Sequence, residues 1–308
     1  MLITKIKSLI PGKETYISPK ASKKSREIFD STRIISFIIS VIKYLSLIIA
    51  SLAAIIPILT VFFASFKTEE EYAATDPLKF PKNWLNFENF KQAFTDGNMN
   101  TGFINTIIIL VFVLAGTIIF GTMVAYVLDR FNFKGRKLIL SAFLIATLIP
   151  SVTTQVATFK VINGLGLFNS RLAPIILGVG TDIMAIYIFI QFISSIPVSL
   201  DESAMLDGAS YFTIYRKIIF PLLKPAIATV VILKGIAVYN DFYTPFLYTP
   251  AAELQTVSTS LFKFKGPFSA HWQVICAGIV IAIIPTLIAF LFLQKYFYNG
   301  FTGGSVKS

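Results

Sequence analysis

The side chains equipped for chemistry in this sequence fall in two places. One is a polar break between apolar stretches, E-S-A-M-L-D-G-A-S-Y-F-T-I-Y-R-K-I-I-F-P-L-L-K-P, from Glu202 to Pro225. The other is a scatter of polar groups inside apolar runs: Thr154 and Gln155 in one, Lys234, Asn240 and Asp241 in another. Neither pattern is catalytic. There is one His, His271, beside Trp272, and one Cys, Cys276, inside an apolar run. A metal site of the usual kind needs several such ligands together, and a single Cys forms no disulfide within the chain. Cys276 reads as a packing residue and His271 as an interfacial one. No G-x-x-x-x-G-K-[ST] occurs, so the residues that cradle nucleotide phosphates are missing. The chemistry on offer is recognition: hydrogen bonding within an apolar medium, and docking by an ordered polar segment.

The elements that position these residues follow from composition. Hydrophobic residues make up 55% of the 308 and charged residues 14%, against about 25% charged in a soluble domain. The apolar runs are long enough to cross a bilayer, which takes about 20 residues. An all-α polytopic membrane protein follows, with six spans: 44–66, extended backwards by an apolar segment at 34–42, then 103–128, 138–160, 173–196, 225–247 and 273–294. Pro150 is expected to kink or break the third. The first 33 residues are too long and polar for the n-region of a cleavable signal, so the first span is expected to stay attached.

Charge orients the spans. The segment up to Lys43 holds nine Lys or Arg, the loop after the second span holds Arg130, Lys134, Arg136 and Lys137, and the loop between spans four and five holds Arg216, Lys217 and Lys224. The first external segment opens with Glu69, Glu70, Glu71 and Asp76. Positive loops face the cytoplasm, which puts both termini there. This distribution accounts for the net charge of +11 by membrane topology rather than by nucleic acid, and makes lipid a partner. The external stretch 67–102 is expected to form a small cap with short helices. The domains are then a basic N-terminal segment (1–43), the six-span body (44–296), a cytoplasmic loop within it (197–224) and a tail (297–308).

The loop has internal order. Ser199 stands three residues before Glu202, the spacing of a capping box, and Asp201 adds charge where a helix dipole favours it. Ala204, Gly208, Tyr211, Tyr215 and Ile219 recur at three- or four-residue steps, as one helical stripe would. Glycine within a helix costs about 1 kcal/mol relative to Ala, so Gly208 implies a close backbone approach or a turn. Pro221 and Pro225 restart the chain into span five. Two readings remain: an amphipathic helix on the membrane surface, or a short peg inserted into a partner. The small side chains of Ser203, Ala204, Gly208 and Ala209 suit the second.

The loop resembles the cytoplasmic signature of binding-protein-dependent ABC importer permeases: E-A-A, three residues, G, nine residues, I, one residue, L-P. Here these are Glu202, Ser203, Ala204, Gly208, Ile218 and Phe220-Pro221, with Ser203 for Ala and Phe220 for Leu. Asp207-Gly208-Ala209-Ser210 and the Pro221/Pro225 pair are similar to the carbohydrate branch. Tyr126-Val-Leu-Asp-Arg130, Phe131-x-Phe133-x-Gly135-Arg136, Gly164-Leu-Gly-Leu-Phe-Asn169, Gln191-Phe192 with Pro197, Tyr239-Asn240-Asp241-Phe242 in place of W-N-D-F, and Leu293-Gln294-Lys295-Tyr296-Phe297 extend the likeness over most of the chain. The first 30 residues share none of it. Together these resemble the second permease of sugar importers, the smaller maltose-type subunit.

The resemblance implies a type I ABC importer permease fold of six transmembrane helices with a cytoplasmic coupling helix. It implies a second permease subunit, two ATP-binding cassette subunits that hold ATP and Mg, an extracytoplasmic or lipid-anchored sugar-binding protein, and no cofactor on this chain. Glu202, Ser203, Ala204, Asp207, Gly208, Ala209, Tyr211, Tyr215 and Pro221 would couple it to an ATPase, and the tail from Lys295 to Ser308 would add contacts. Thr154, Gln155, Tyr239, Asn240, Asp241 and Phe242 would line a sugar path, since sugars suit amides, carboxylates and aromatic platforms. For Asn240 and Asp241 a structural role, in capping or a hydrogen bond between spans, competes. Lys234 either snorkels or pairs with a carboxylate. The rival functions are an ion-coupled secondary transporter and a membrane scaffold without transport; neither explains the signature loop.

Overall fold

Apolar runs with no competing strand pattern become helices. The computed structural model describes residues 19–180, 182–266 and 270–302. The expected N-terminal segment lies outside these residues up to position 18, as does the tail from Gly303 onwards. Two units are defined, residues 1–59 and 60–308. The first is the greater part of helix α1 (Pro19–Phe66), whose apolar stretch begins earlier than position 44, at Ser36, and runs to Phe66.

In the second unit the stretch 67–102 contains the expected short helices, α2 (Glu69–Ala74) and α3 (Glu88–Thr95). The fully buried ammonium of Lys67 donates to Thr75 Oγ1 at 3.1 Å and to the Asp76 carbonyl at 2.9 Å. The Asn89 amide donates to the carbonyls of Ser65 and Lys67 at 2.9 and 2.7 Å. Each buried polar group thus finds the partner that burial demands.

Helix α4 (Met99–Arg130) is the central element. It is followed by α5 (Arg136–Thr147), α6 (Ser151–Gly164), α7 (Leu172–Gly180), α8 (Ile183–Ser194), α9 (Ser199–Leu206), α10 (Tyr211–Ile214), a π turn (Tyr215–Ile219), α11 (Phe220–Leu222), α12 (Lys224–Asn240), α13 (Tyr243–Tyr248), α14 (Val257–Ser260) and α15 (Trp272–Thr302). Strands are absent among the described residues, apart from one isolated bridge between Lys265 and Ala270. Helix α4 packs against α7, α8, α12 and α14, and α15 packs against α3 and α12. Gly116 and Gly178 let α4 and α7 interlock: a Cβ on Gly116 would lie 2.5 Å from Val179, and one on Gly178 2.7 Å from Val113. Small residues at such crossings admit close backbone approach in membranes.

Among the described residues, three helices are long and apolar enough to cross a membrane: Ser36–Phe66, Met99–Arg130 and Trp272–Phe292. Three bent pairs bring the number to six if each is one span. The expected third span is two helices bent by 107°. Pro150 sits at the break with extended backbone, and its missing N–H cannot continue the hydrogen-bond ladder of the first helix. The expected fourth is α7 and α8, bent by 43°. The expected fifth stops short of 247, because Asp241 is extended and α13 starts a new direction. The outer surface of this unit carries exposed Ile107, Val111, Phe120, Leu287 and Phe292, a surface lipid accepts and water does not.

Candidate functional site

The polar break from Glu202 to Pro225 begins within an eight-residue helix and turns back on itself. The expected capping box is not formed. Ser199 lies inside α9 because the chain is already helical at Val198: Pro197 and Val198 supply the carbonyls that accept the N–H groups of Leu200, Asp201 and Glu202. The Ser199 carbonyl instead accepts Ser203 Oγ at 2.8 Å. Asp201 does stand in the first turn, but it is buried.

The single stripe through Ala204, Gly208 and Tyr211 is also corrected, because α9 ends at Leu206. Gly208 adopts φ +82°, its N–H bonds the Met205 carbonyl at 3.0 Å, and the Ala209 N–H bonds the Ala204 carbonyl at 2.9 Å. These are the paired bonds of a Schellman cap, whose left-handed residue is usually glycine. A Cβ on Gly208 would meet nothing within 4 Å. Of the two reasons for a glycine here, the turn applies and the close approach does not.

Beyond the turn, the Ser210 side chain caps α10 by accepting the Thr213 N–H at 3.3 Å. Tyr215, Ile214 and Ile219 are buried in a core with Tyr126, Phe189 and Ile193, against which Ala204 and Ala209 pack. The Tyr215 and Thr122 hydroxyls share a hydrogen bond of 2.8 Å, and the Tyr211 ring meets Phe131 edge-on at 4.9 Å. The Phe220 N–H bonds the Tyr215 carbonyl, a π-type step taken immediately before Pro221, whose own N–H is missing. Pro225 sits in the first turn of α12, where proline is tolerated.

The loop therefore has an anchored face and a free one. Glu202, Ser203, Met205, Asp207, Gly208 and Phe212 are exposed, and Leu206 is 90% exposed at the tip of the turn. Leu206 and Phe212 were not singled out from the sequence. The signal was an apolar residue at a turn, where a solvated loop would place a polar one.

The second polar group forms a cavity of about 420 Å³ between α4, α6, α7, α12 and α13. Of the residues expected on a sugar path, Thr154, Gln155 and Asp241 line it, joined by Thr106, Thr158, Lys234, Thr244 and Tyr248. Tyr239, Asn240 and Phe242 are not on its wall. The Tyr239 hydroxyl donates to the Ala282 carbonyl at 2.7 Å, and Phe242 stacks on Phe246 at 5.1 Å. Asn240 is exposed. Asp241 Oδ1 accepts the Thr244 N–H at 3.1 Å, so this carboxylate caps α13 and also faces the cavity. Burial, with Tyr243 adding to it, raises the Tyr248 phenol above its usual value. Lys234 pairs with Asp182 at 3.1 Å, and Asp182 also accepts the Ala185 N–H at 2.9 Å, holding α12 against the start of α8. The choice between snorkelling and pairing falls to pairing.

Comparison with known proteins places this arrangement in a class. The family described as binding-protein-dependent transport system inner membrane component matches residues 117–302, a stretch that contains both the loop and most of the cavity wall. The fold is similar to a chain in the crystal structure of a bacterial ABC transporter involved in the import of the acidic polysaccharide alginate, with a TM-score of 0.74 and 26% identity over 87% of this chain and 98% of that one. The chain is 31% identical to the arabinooligosaccharides transport system permease protein AraQ of Bacillus subtilis (strain 168), covering 83% of this chain and 92% of AraQ. It is 33% identical to the probable starch degradation products transport system permease protein AmyC of Thermoanaerobacterium thermosulfurigenes, over 84% and 94% of the two chains. The chain belongs to the family of binding-protein-dependent transport system inner membrane components. It is a multi-pass membrane permease component of an ABC importer, a transport subunit and not an enzyme.

Proposed function

We infer that this chain is one of two permeases in an ATP-driven importer of a sugar or oligosaccharide, in the plasma membrane of a bacterium or archaeon. The names of AraQ and AmyC support the carbohydrate class. Six spans with both termini in the cytoplasm follow from the basic loops. A second permease completes the path, two ATP-binding cassette subunits supply ATP and Mg, and an extracytoplasmic or lipid-anchored binding protein delivers the sugar. Closure of the ATPase pair brings the coupling loops together and opens the spans outward, and hydrolysis resets them.

The observation that carries the reading is the divided loop, with Tyr215 and Ile219 anchored in the permease core while Glu202, Leu206 and Asp207 project at the turn. An amphipathic helix lying on a membrane would bury Leu206 in lipid and keep a continuous apolar stripe; the chain breaks that stripe at Gly208. Thr154, Gln155 and Asp241 offer a hydroxyl, an amide and a carboxylate to sugar hydroxyls on the cavity wall. The chain purified in mild detergent carries a second permease and an ATPase if the reading holds; isolation of this chain alone, under conditions that keep known importers whole, overturns it.

A further inference from the structure

Resting on the permease reading above, we propose that Arg130 and Asp201 form the link through which movement of the cytoplasmic loop reaches helix α4, with Arg130 as a positioning residue for coupling. Arg130 is the last residue of α4 and Asp201 lies in the first turn of α9. Each guanidinium nitrogen meets a different segment. Nη1 donates to Asp129 Oδ2 at 3.0 Å, Nη2 donates to the Ile196 carbonyl at 2.8 Å, and Nε lies 2.8 Å from Asp201 Oδ2. Ser194, the last residue of α8, donates to Asp129 Oδ1. The side chains of Arg130, Asp129 and Asp201 are 7%, 9% and 7% exposed.

Two features set this cluster apart from a static staple. It holds two carboxylates and one cation, a surplus of one negative charge in a buried site, where unpaired charge is costly. The two carboxylate contacts also differ in kind: Nη1 donates a hydrogen bond to Asp129, and Nε only approaches Asp201. The Asp201 contact is an ion pair without an in-line hydrogen bond, and Asp201 Oδ1 has no hydrogen-bond partner among the described residues. Arg130 therefore has a second anion to retain when Asp201 moves, which gives the joint two arrangements, and an element with two arrangements is what coupling requires.

The Tyr215–Thr122 hydrogen bond ties the other arm of the loop to α4. From there α4 is one uninterrupted helix of 32 residues, about 48 Å long. At its far end the Asn105 amide donates to the carbonyls of Glu253 and Gln255, both at 2.8 Å. A shift of α9 is thereby delivered to the loop before α14.

The test uses the full importer complex in lipid nanodiscs, with Cys276→Ala and a reporter cysteine at exposed Asn100 in the first turn of α4. Its labelling by a polar maleimide is timed without nucleotide and after trapping with ATP and vanadate. In the parent the rate changes roughly fivefold or more, while in Asp201→Asn the change falls to within about twofold, although the ATPases remain bound and hydrolyse ATP. Asp201→Glu restores the response. A full response in Asp201→Asn overturns the proposal. So does loss of the ATPases from that variant, which makes Asp201 a docking or folding residue. A parent complex that lacks ATPases, or whose labelling ignores nucleotide, overturns the permease reading itself.

Discussion

The two ends of helix α4 are fixed by different physics. At the N-terminal end the ties are directional hydrogen bonds centred on neutral side chains: Asn105 donates to two backbone carbonyls and accepts from the Arg171 guanidinium at 2.8 Å, while Thr106 accepts the Val257 N–H at 3.0 Å. At the C-terminal end one guanidinium is shared between two carboxylates and a carbonyl. Neutral hydrogen bonds to the main chain define one register and lose strength steeply on misalignment. Charge attraction falls off slowly with distance, so a shared ion tolerates movement. The N-terminal end is built to hold a position and the C-terminal end to survive displacement.

Arg130→Ala breaks the C-terminal end most severely. It strands Asp129 and Asp201 as buried carboxylates, at a cost of about 3–5 kcal/mol, and a large fall in the folded fraction in detergent measures it. Asn105→Ala is the matching change at the N-terminal end. It unpairs two carbonyls and one Arg171 nitrogen for about 1–3 kcal/mol, read as a smaller fall in thermal midpoint. If the order of these two were reversed, the contrast between the ends would not hold.

Gly208 separates conformation from contact. Because its φ is +82° and nothing lies near a Cβ, Gly208→Ala and Gly208→Trp are expected to destabilise the isolated chain by a similar amount, about 1–2 kcal/mol. Only the Trp variant should then lose further ATPase binding, since only it adds bulk to the exposed turn. A much larger effect of Trp on the isolated chain would place a packing neighbour at this turn. The smallest effect belongs to Glu202→Gln. Its side chain is exposed, so chain stability should move by less than about 0.5 kcal/mol. Pull-down of the ATPase should weaken all the same, and unchanged pull-down would remove Glu202 from the docking face.

Much of the fold was legible because lipid imposes a coarse rule: an apolar run of sufficient length becomes a helix, and Pro150 within one becomes a break. The loop was legible in position but not in shape. The Ser199–Glu202 spacing suggested a cap, but a helix start depends on the backbone at Val198, which side-chain spacing does not report. The stripe through Gly208 looked continuous because periodicity is blind to the sign of φ. Asp201 looked like a dipole complement because its partner, Arg130, lies two membrane segments earlier in the chain. On the cavity wall, Thr154, Gln155 and Asp241 stood out as polar residues in apolar runs. Tyr239 and Phe242 stood out as aromatic platforms for a sugar, yet their groups engage Ala282 and Phe246, contacts that depend on how helices pack rather than on sequence.

A photoreactive amino acid at position 206, in the complex purified from membranes, tests the docking loop most directly. Leu206 stands clear of its own chain at the tip of the turn, so irradiation should yield an adduct with an ATP-binding subunit, lost when the ATPases are stripped away. An intact complex that gives adducts only to lipid or to this chain would contradict a loop that docks an ATPase.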